Sequence, residues 1–157
     1  MVKVNLVCVG KVKEKYFQDA INEYAKRLSR FCELKIIEIK EENFVTVPSS
    51  GEKLRIIERE GEEILKKVKG SVFATCIEGK PFSSEKLAES LNSLISSGEE
   101  VTFVIGGSYG LSDKVKDIAK VKISFSEMTF PHTLFRVISL EQIYRAFMIN
   151  AKTEYHK

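Results

Sequence analysis

Several features are scarce in this sequence of 157 residues, and each scarcity excludes a class of protein. With two histidines, three cysteines and no CxxC or HExxH motif, it gives no reason to expect a structural or catalytic metal site. No apolar run approaches the roughly 18 residues that a membrane-spanning helix requires. The apolar stretch at 4–9 is too short for a secretory signal and leads into lysines, which favours a cytoplasmic protein.

The cysteines and the charge balance also point to an ordinary intracellular domain. Cys8, Cys32 and Cys76 are odd in number, widely spaced, and lie in or beside expected strands, which predicts buried, reduced thiols. The length and the 43% hydrophobic content suit a single domain over residues 1–157. A net charge of +3 permits RNA binding without establishing it.

The chain alternates between strand-like and helix-like patterns. The expected strands cover residues 2–9, 34–39, 71–77, 101–105 and about 121–125. The expected helices cover residues 14–31, 52–69, 84–98, a short segment after Ser112, and a long segment from Pro131 to about 150. Because no hairpin signal appears, the pattern predicts a three-layer α/β domain with a mostly parallel sheet, whose strand order stays open.

Three local features qualify this outline. The polar segment 40–51 is the best candidate for a mobile loop. Gly61 falls on the apolar face of the second helix, where a missing side chain would let another backbone approach closely. Gly70 is expected to end that helix as its C′ residue.

Ligands of open α/β sheets bind beyond the carboxyl ends of the strands, and three such ends carry unusual residues. They are the segments 75–81, 105–110 and 125–132. The glycine cluster in the second segment fits neither G-x-G-x-x-G nor a P-loop, so it is either a tight turn or a loop that lets backbone groups reach a flat ligand. The third segment mixes apolar and polar side chains and suits either a nucleoside pocket or an ordinary closing loop.

The last expected helix is apolar on well over one face, so it needs burial against the sheet and against something else, most economically a partner subunit. His132 and Arg136 share a face of its first turn, and Glu141 with Arg145 forms a pair typical of surface support. The terminal residues Tyr155–Lys157 have the composition of a frayed tail.

Several segments resemble one known family along the whole chain. They are LVCVGKVKEKY, IEGKP, FVIGGSYGLS, MTFPHTLFRVISLEQIYRAFMI and the terminal YHK. In these strings the sequence is similar to the SPOUT-class ribosomal RNA large subunit methyltransferase H family, which methylates N3 of a pseudouridine in 23S rRNA. The resemblance implies a C-terminal trefoil knot, a homodimer, S-adenosylmethionine as cofactor, and large-subunit rRNA, within the assembled ribosome, as substrate.

The resemblance also assigns site residues. The cofactor contacts that it implies are Thr75, Gly106, Phe125, Ser126, Glu127, Met128, Thr129 and Phe130. These residues lie at the same three strand ends that the physical argument selects. Thr75 stands where leucine is familiar in the family, which points to a backbone contact.

For catalysis, we hypothesise that His156 or Tyr155, brought by the tail, orients the base and assists loss of its N3 proton. Arg136 would bind phosphate or stabilise the developing charge, and His132 would anchor the start of the helix. RNA affinity would come from lysines and arginines such as Lys11, Lys13 and Lys15.

Two alternatives stay open at this point. One is a SPOUT methyltransferase acting on tRNA, which shares fold and cofactor. The other is a non-catalytic, ribosome-associated binding module, which would not bind S-adenosylmethionine. A phospho-receiver domain would need clustered aspartates at strand ends, and strands one and three end without any.

Overall fold

Five strands form one sheet in which each pair of neighbours is parallel, in a computed structural model that describes residues 1–42 and 46–157. They are β1 (Val2–Val9), β2 (Cys32–Ile39), β3 (Ser71–Pro81), β4 (Val101–Ile105) and β5 (Val121–Ser124). Their order across the sheet is β2-β1-β4-β3-β5. The expected α/β class is confirmed, and the sheet of the described residues is wholly parallel.

Among the described residues, five helices connect and follow these strands. They are α1 (Lys15–Leu28), α2 (Ser50–Leu65), α3 (Ser84–Ser96), α4 (Asp113–Ile118) and α5 (His132–Asn150). The hydroxyls of Ser49, Ser83 and Ser112 accept from the backbone N–H three residues on, so they cap α2, α3 and α4. Residues 43–45 of the expected mobile loop lie outside the described residues, and its last positions belong to α2.

The prediction for Gly70 is wrong, and the prediction for Gly61 is confirmed only in part, because the group that approaches it closely is the side chain of Ser112. Because α2 ends at Leu65, Gly70 is not its C′ residue; it enters β3 with φ of +64°, where a Cβ would collide with the Glu100 carbonyl. A Cβ at Gly61 would lie 2.8 Å from the Cβ of Ser112. The missing side chain therefore lets α2 approach the start of α4.

The sheet is covered on two faces of unequal size. The large face packs α1, α3 and α5 around Phe73 and Phe103, whose rings stack with centroids 4.9 Å apart. The small face packs α2 and α4, with Val115 of α4, against Val7 and Val104 of the sheet. Because side chains alternate along a strand, Phe103 and its neighbour Val104 serve opposite faces. The trefoil knot that the resemblance implies stays a prediction.

The cysteines are free, as predicted. Cys8 and Cys32 are buried, and burial raises the pKa of their thiols to about 11 and about 12, so both stay protonated. Cys76 is only half-buried, because it lies at the edge of a cavity. Within 1–42 and 46–157, no helix is long and apolar enough to cross a membrane.

Candidate active site

A cavity of about 830 Å³ lies where the carboxyl ends of β3, β4 and β5 meet. Its walls are residues 75–78 of β3, the segments that follow β4 and β5, Lys116 of α4 and the first turn of α5. The three strands are neighbours in the sheet, so their ends converge although they are distant in sequence. A volume of this size falls within the range of small-molecule sites, about 300–1,000 Å³.

Seven of the eight predicted cofactor residues line this cavity. They are Thr75, Gly106, Phe125, Ser126, Met128, Thr129 and Phe130. Glu127 does not line it: its side chain is exposed, and the cavity wall passes from Ser126 to Met128. The reason is local, since the hydroxyl of Ser126 accepts from the backbone N–H of Met128 in a tight turn that leaves Glu127 at its tip.

Thr75 lines the cavity with its hydroxyl already engaged. The side chain is 8% exposed, and its Oγ1 donates to the carbonyl of Val104 at 2.8 Å. This hydrogen bond ties β3 to β4 just beyond their last paired residues, Ala74 and Val104. The hydroxyl is thus already engaged, and the expected backbone contact of Thr75 with a ligand stays a prediction.

The glycine cluster is both a tight turn and a wall of the cavity. The backbone N–H of Gly110 donates to the carbonyl of Gly107 at 3.2 Å, and a Cβ at Gly106 would lie 2.7 Å from the carbonyl carbon of Gly110. Gly110 has a backbone φ of +90°, which residues with a side chain rarely adopt. The two interpretations left open by the sequence are thus compatible, and we call residues 106–110 the glycine loop.

The rim of the cavity is apolar and exposed. Met128 is 73% and Ile77 55% exposed, and Tyr109 adds a partly exposed ring. Large apolar side chains left in water beside a cavity indicate a surface that a ligand or partner covers. Deeper in the cavity, Phe135 packs against Phe125 with ring centroids 5.0 Å apart.

The cavity wall contains one pair of opposite charges that was not predicted from the sequence. Lys116 of α4 and Glu78 of β3 form a salt bridge. Its hydrogen bond raises the pKa of the lysine and lowers the pKa of the carboxyl, so both stay charged. No spacing in the sequence links these residues; only the adjacency of α4 and β3 brings them together.

His132 lies at the start of α5, as expected, and lines the cavity. Its Nε2 is 4.0 Å from Oε1 of Glu41. A Cβ at Gly10 would lie 3.4 Å from the same Nε2. The histidine therefore connects the end of β1 with the cavity.

The position of Arg136 does not fit the predicted contact with phosphate. Its side chain is buried, with Nη1 donating to Glu38 Oε2 at 2.7 Å and Nη2 donating to the carbonyl of Gly10 at 2.9 Å. The guanidinium is therefore turned away from solvent, where a phosphate would bind. Its contacts tie α5 to the ends of β1 and β2, which makes it a structural support in this chain.

The terminal residues are docked on the large face instead of fraying. The hydroxyl of Tyr155 donates to Glu141 Oε1 at 3.1 Å, and its ring lies 4.8 Å from the guanidinium of Arg145. His156 bridges Arg145 and Glu85, through Nδ1 at 3.2 Å and Nε2 at 2.6 Å. Glu141 and Arg145 are thus the docking site of the tail, beyond the surface support that their spacing suggested.

The docked geometry distinguishes the two candidate catalytic side chains. Burial and the hydrogen bond to Glu141 raise the pKa of Tyr155 to about 12, so its hydroxyl keeps its proton near neutral pH and donates to Glu141. An arginine N–H always donates, so Nδ1 of His156 accepts from Arg145 and Nε2 carries the proton. Neither residue lines the cavity of its own chain.

Comparison with known proteins identifies the family of this chain. A family model described as "Predicted SPOUT methyltransferase" matches residues 2–156. The chain belongs to the SPOUT methyltransferase family.

Full-length relatives place it within one branch of the SPOUT methyltransferases. Proteins named ribosomal RNA large subunit methyltransferase H from Lactobacillus helveticus and Clostridium acetobutylicum are 48% and 47% identical over 159 aligned residues. Each alignment covers 99% of this chain and 100% of the relative. The resemblance found in the sequence is therefore confirmed.

The solved structures add the fold. A probable methylase family protein from Haemophilus influenzae superposes with a TM-score of 0.52 at 10% identity, covering 96% of this chain and 67% of the other. At so low an identity the likeness shows the fold and not the activity. It supports the arrangement of five strands and flanking helices described above.

Proposed function

We propose that this chain is an S-adenosylmethionine-dependent methyltransferase that methylates N3 of a pseudouridine in 23S rRNA of the large ribosomal subunit. The observation that carries the proposal is the cavity at the ends of β3, β4 and β5, lined by the segments that resemble the family. The close relatives bear the name of a large-subunit rRNA methyltransferase, which supports the substrate class. A ribosomal substrate implies action in the cytoplasm.

The residues of the cavity fit S-adenosylmethionine. The volume of about 830 Å³ accommodates a nucleoside with its amino-acid arm, and the glycine loop leaves backbone groups accessible to an adenine. Phe125, Met128 and Phe130 would cover its apolar parts, while Ser126 and Thr129 supply polar groups. When bound, this cofactor supplies a methyl group on a positively charged sulfur, which is already electrophilic.

A homodimer would bring the tail to the cavity. In one chain, Tyr155 and His156 are docked on α3 and α5, away from the cavity wall. None of the residues of α5 is fully exposed in one chain, and its half-buried positions include Leu134, Val137 and Met148. An apolar helix of this kind, adjacent to a cavity that lacks its catalytic side chains, favours a second copy that covers α5 and supplies its tail in trans.

In that arrangement each tail residue has one task. Tyr155, whose hydroxyl stays protonated, donates to a carbonyl oxygen of the uracil ring and orients it. Nδ1 of His156, released from Arg145, would accept the N3 proton of the pseudouridine when a bound cofactor supplies its methyl group to N3. Arg136, in contrast to our hypothesis from the sequence, supports the site from behind.

The decisive experiment is methyl transfer from labelled S-adenosylmethionine to ribosomes that lack native methylation, followed by nucleoside mass spectrometry. We expect 3-methylpseudouridine in the 23S rRNA. A chain lacking 155–157 should bind the cofactor normally and transfer no methyl group, which separates catalysis from cofactor binding. Label in tRNA alone would support the tRNA enzyme instead, and failure to bind S-adenosylmethionine would support a non-catalytic binding module.

A further inference from the structure

Glu60 is a buried carboxyl for which the proposed reaction has no use. It lies on α2, and only 3% of its surface is exposed. Its Oε2 accepts a long hydrogen bond, 3.4 Å, from the backbone N–H of Glu42, and its Oε1 has no hydrogen-bond partner among the described residues. A buried acid with a free oxygen costs folding free energy, so it calls for an explanation.

The free oxygen lies directly behind the glycine loop. A Cβ at Gly107 would lie 3.0 Å from Glu60 Oε1 and 3.0 Å from a methyl group of Val9. The backbone of Gly107 is therefore pressed against the carboxyl on one side while it lines the cavity on the other. No other side chain separates Glu60 from the residue that it supports.

Neighbouring contacts hold the same loop from the same side. Gly61, the next residue of α2, lies against Ser112, which caps α4 just beyond the loop. Glu41, after β2, accepts a hydrogen bond from the hydroxyl of Ser108 at 3.2 Å. Gly107, Ser108 and Ser112 are thus each contacted by a residue that does not line the cavity.

We propose that Glu60 is a positioning residue: it supports Gly107 from behind and holds the glycine loop in the shape that binds the cofactor. The inference rests on the proposed function only in taking the cofactor to be S-adenosylmethionine. Glu60 touches neither cofactor nor substrate, and it acts through the backbone of the loop.

The carboxyl performs this task as a neutral acid below about pH 7. Burial, with the nearby charges of Glu41 and Glu42, raises the pKa of Glu60 to about 7. The neutral acid buries no charge, whereas a carboxylate there would be a buried charge with one weak partner. Glu41 and Glu42 are the titratable groups that face Glu60. On the far side of Glu41, its Oε1 lies 4.0 Å from Nε2 of His132.

Two measurements on the whole chain test the inference, with Glu60→Gln, Glu60→Ala and the exposed neighbour on the same helix, Glu58→Gln, as control. The first is hydrogen–deuterium exchange of the cofactor-free chain over residues 106–112, with α3 as internal reference. The second is the dissociation constant of S-adenosylmethionine by calorimetry between about pH 6 and pH 8.5. Glutamine keeps the shape and the neutral state, while alanine removes the support.

At about pH 6 we expect Glu60→Ala to speed exchange in 106–112 relative to α3 and to weaken cofactor binding about tenfold or more, while Glu60→Gln and Glu58→Gln stay close to the parent chain. The parent's affinity should fall as the pH rises through about 7, and that of Glu60→Gln should not. A pH dependence that survives in Glu60→Gln would overturn the neutral-acid role.

Other outcomes also decide the matter. Unchanged exchange and affinity in Glu60→Ala would overturn the inference, as would a Glu60→Gln that behaves like alanine. If alanine prevents folding, the glutamine variant and the pH series still decide. If the parent chain binds no S-adenosylmethionine, the proposed function fails, while the exchange of 106–112 still tests the support of the loop.

Discussion

The two faces of the sheet are built for different tasks. The large face is an apolar core that joins α1, α3 and α5 around stacked Phe73 and Phe103. The small face has a smaller apolar cluster and adds Glu60, Gly61 and Ser112, which contact the glycine loop or the residues just after it. The comparison indicates that the large face supplies most of the stability and the small face sets the geometry of the cavity.

The largest expected effect tests the first half of this comparison. Phe103→Ala should lower the free energy of unfolding by about 3–5 kcal/mol, because it removes a fully buried ring and its partner for stacking. Val104→Ala, one residue away on the small face, should cost about 2 kcal/mol, since it removes less apolar volume. Denaturant unfolding measures both, and equal losses would contradict the unequal roles of the faces.

The second effect is a pH-dependent difference in stability at Glu60. Its pKa is raised from 4.5 to about 7, so folded and unfolded chains are both protonated below 4.5, and the folded chain loses stability as the pH rises from there to about 7. Glu60→Gln has no proton to lose. It should therefore gain on the parent chain with rising pH, by up to about 3 kcal/mol above pH 7.

Thermal and denaturant unfolding across this pH range measure the gain. Glu58→Gln is the control, because that side chain is exposed. A constant difference between Glu60→Gln and the parent chain would mean that folding does not raise the pKa of the Glu60 carboxyl.

The third effect concerns the contact between α2 and α4. Gly61→Ala should destabilise the chain by about 1–3 kcal/mol and weaken cofactor binding, because the added methyl group collides with Ser112. Gly51→Ala, on the same helix with open space around it, should be neutral or slightly stabilising. Calorimetric binding and unfolding curves compare the two, and a harmless Gly61→Ala would remove α2 from the support of the loop.

The smallest expected effect compares the two faces through two substitutions that should cost the same stability. Ser112→Ala and Ser83→Ala each remove a helix N-cap, and each should lower stability by about 1 kcal/mol. Only Ser112 lies beside the glycine loop, so only its replacement should weaken the binding of S-adenosylmethionine. If both variants bind the cofactor equally well, the N-cap of α4 contributes to stability alone.

The periodicity of the sequence predicted the strands and helices well, because buried parallel strands and capped helices leave clear local patterns. Val101–Ile105 matches β4 to the residue, and Ser112 caps α4 as expected. The end of α2 was placed too late, since Leu65 is followed by residues with helical composition that the turn into β3 overrides. Strand order depends on contacts between distant segments, which no local pattern records.

For the site, strand ends rich in glycine and mixed side chains were sufficient to select most of the cavity wall. The exceptions are residues whose orientation depends on their surroundings. Glu127 sits at the tip of a turn, and Arg136 is drawn inward by Glu38 and the carbonyl of Gly10. The salt bridge of Lys116 with Glu78 and the position of Glu60 needed the packing of α4 and α2, which the sequence does not display.

The order of strands also has a consequence in time. β1 pairs with β2 only about 30 residues later in the chain, yet its other edge pairs with β4, with Val4 opposite Val101. At roughly 5–20 residues per second, synthesis needs on the order of ten seconds to deliver β4 after β1 is made. Throughout that interval the nascent chain carries an apolar strand with an unpaired edge. The chain is therefore most prone to aggregation before its cavity has formed.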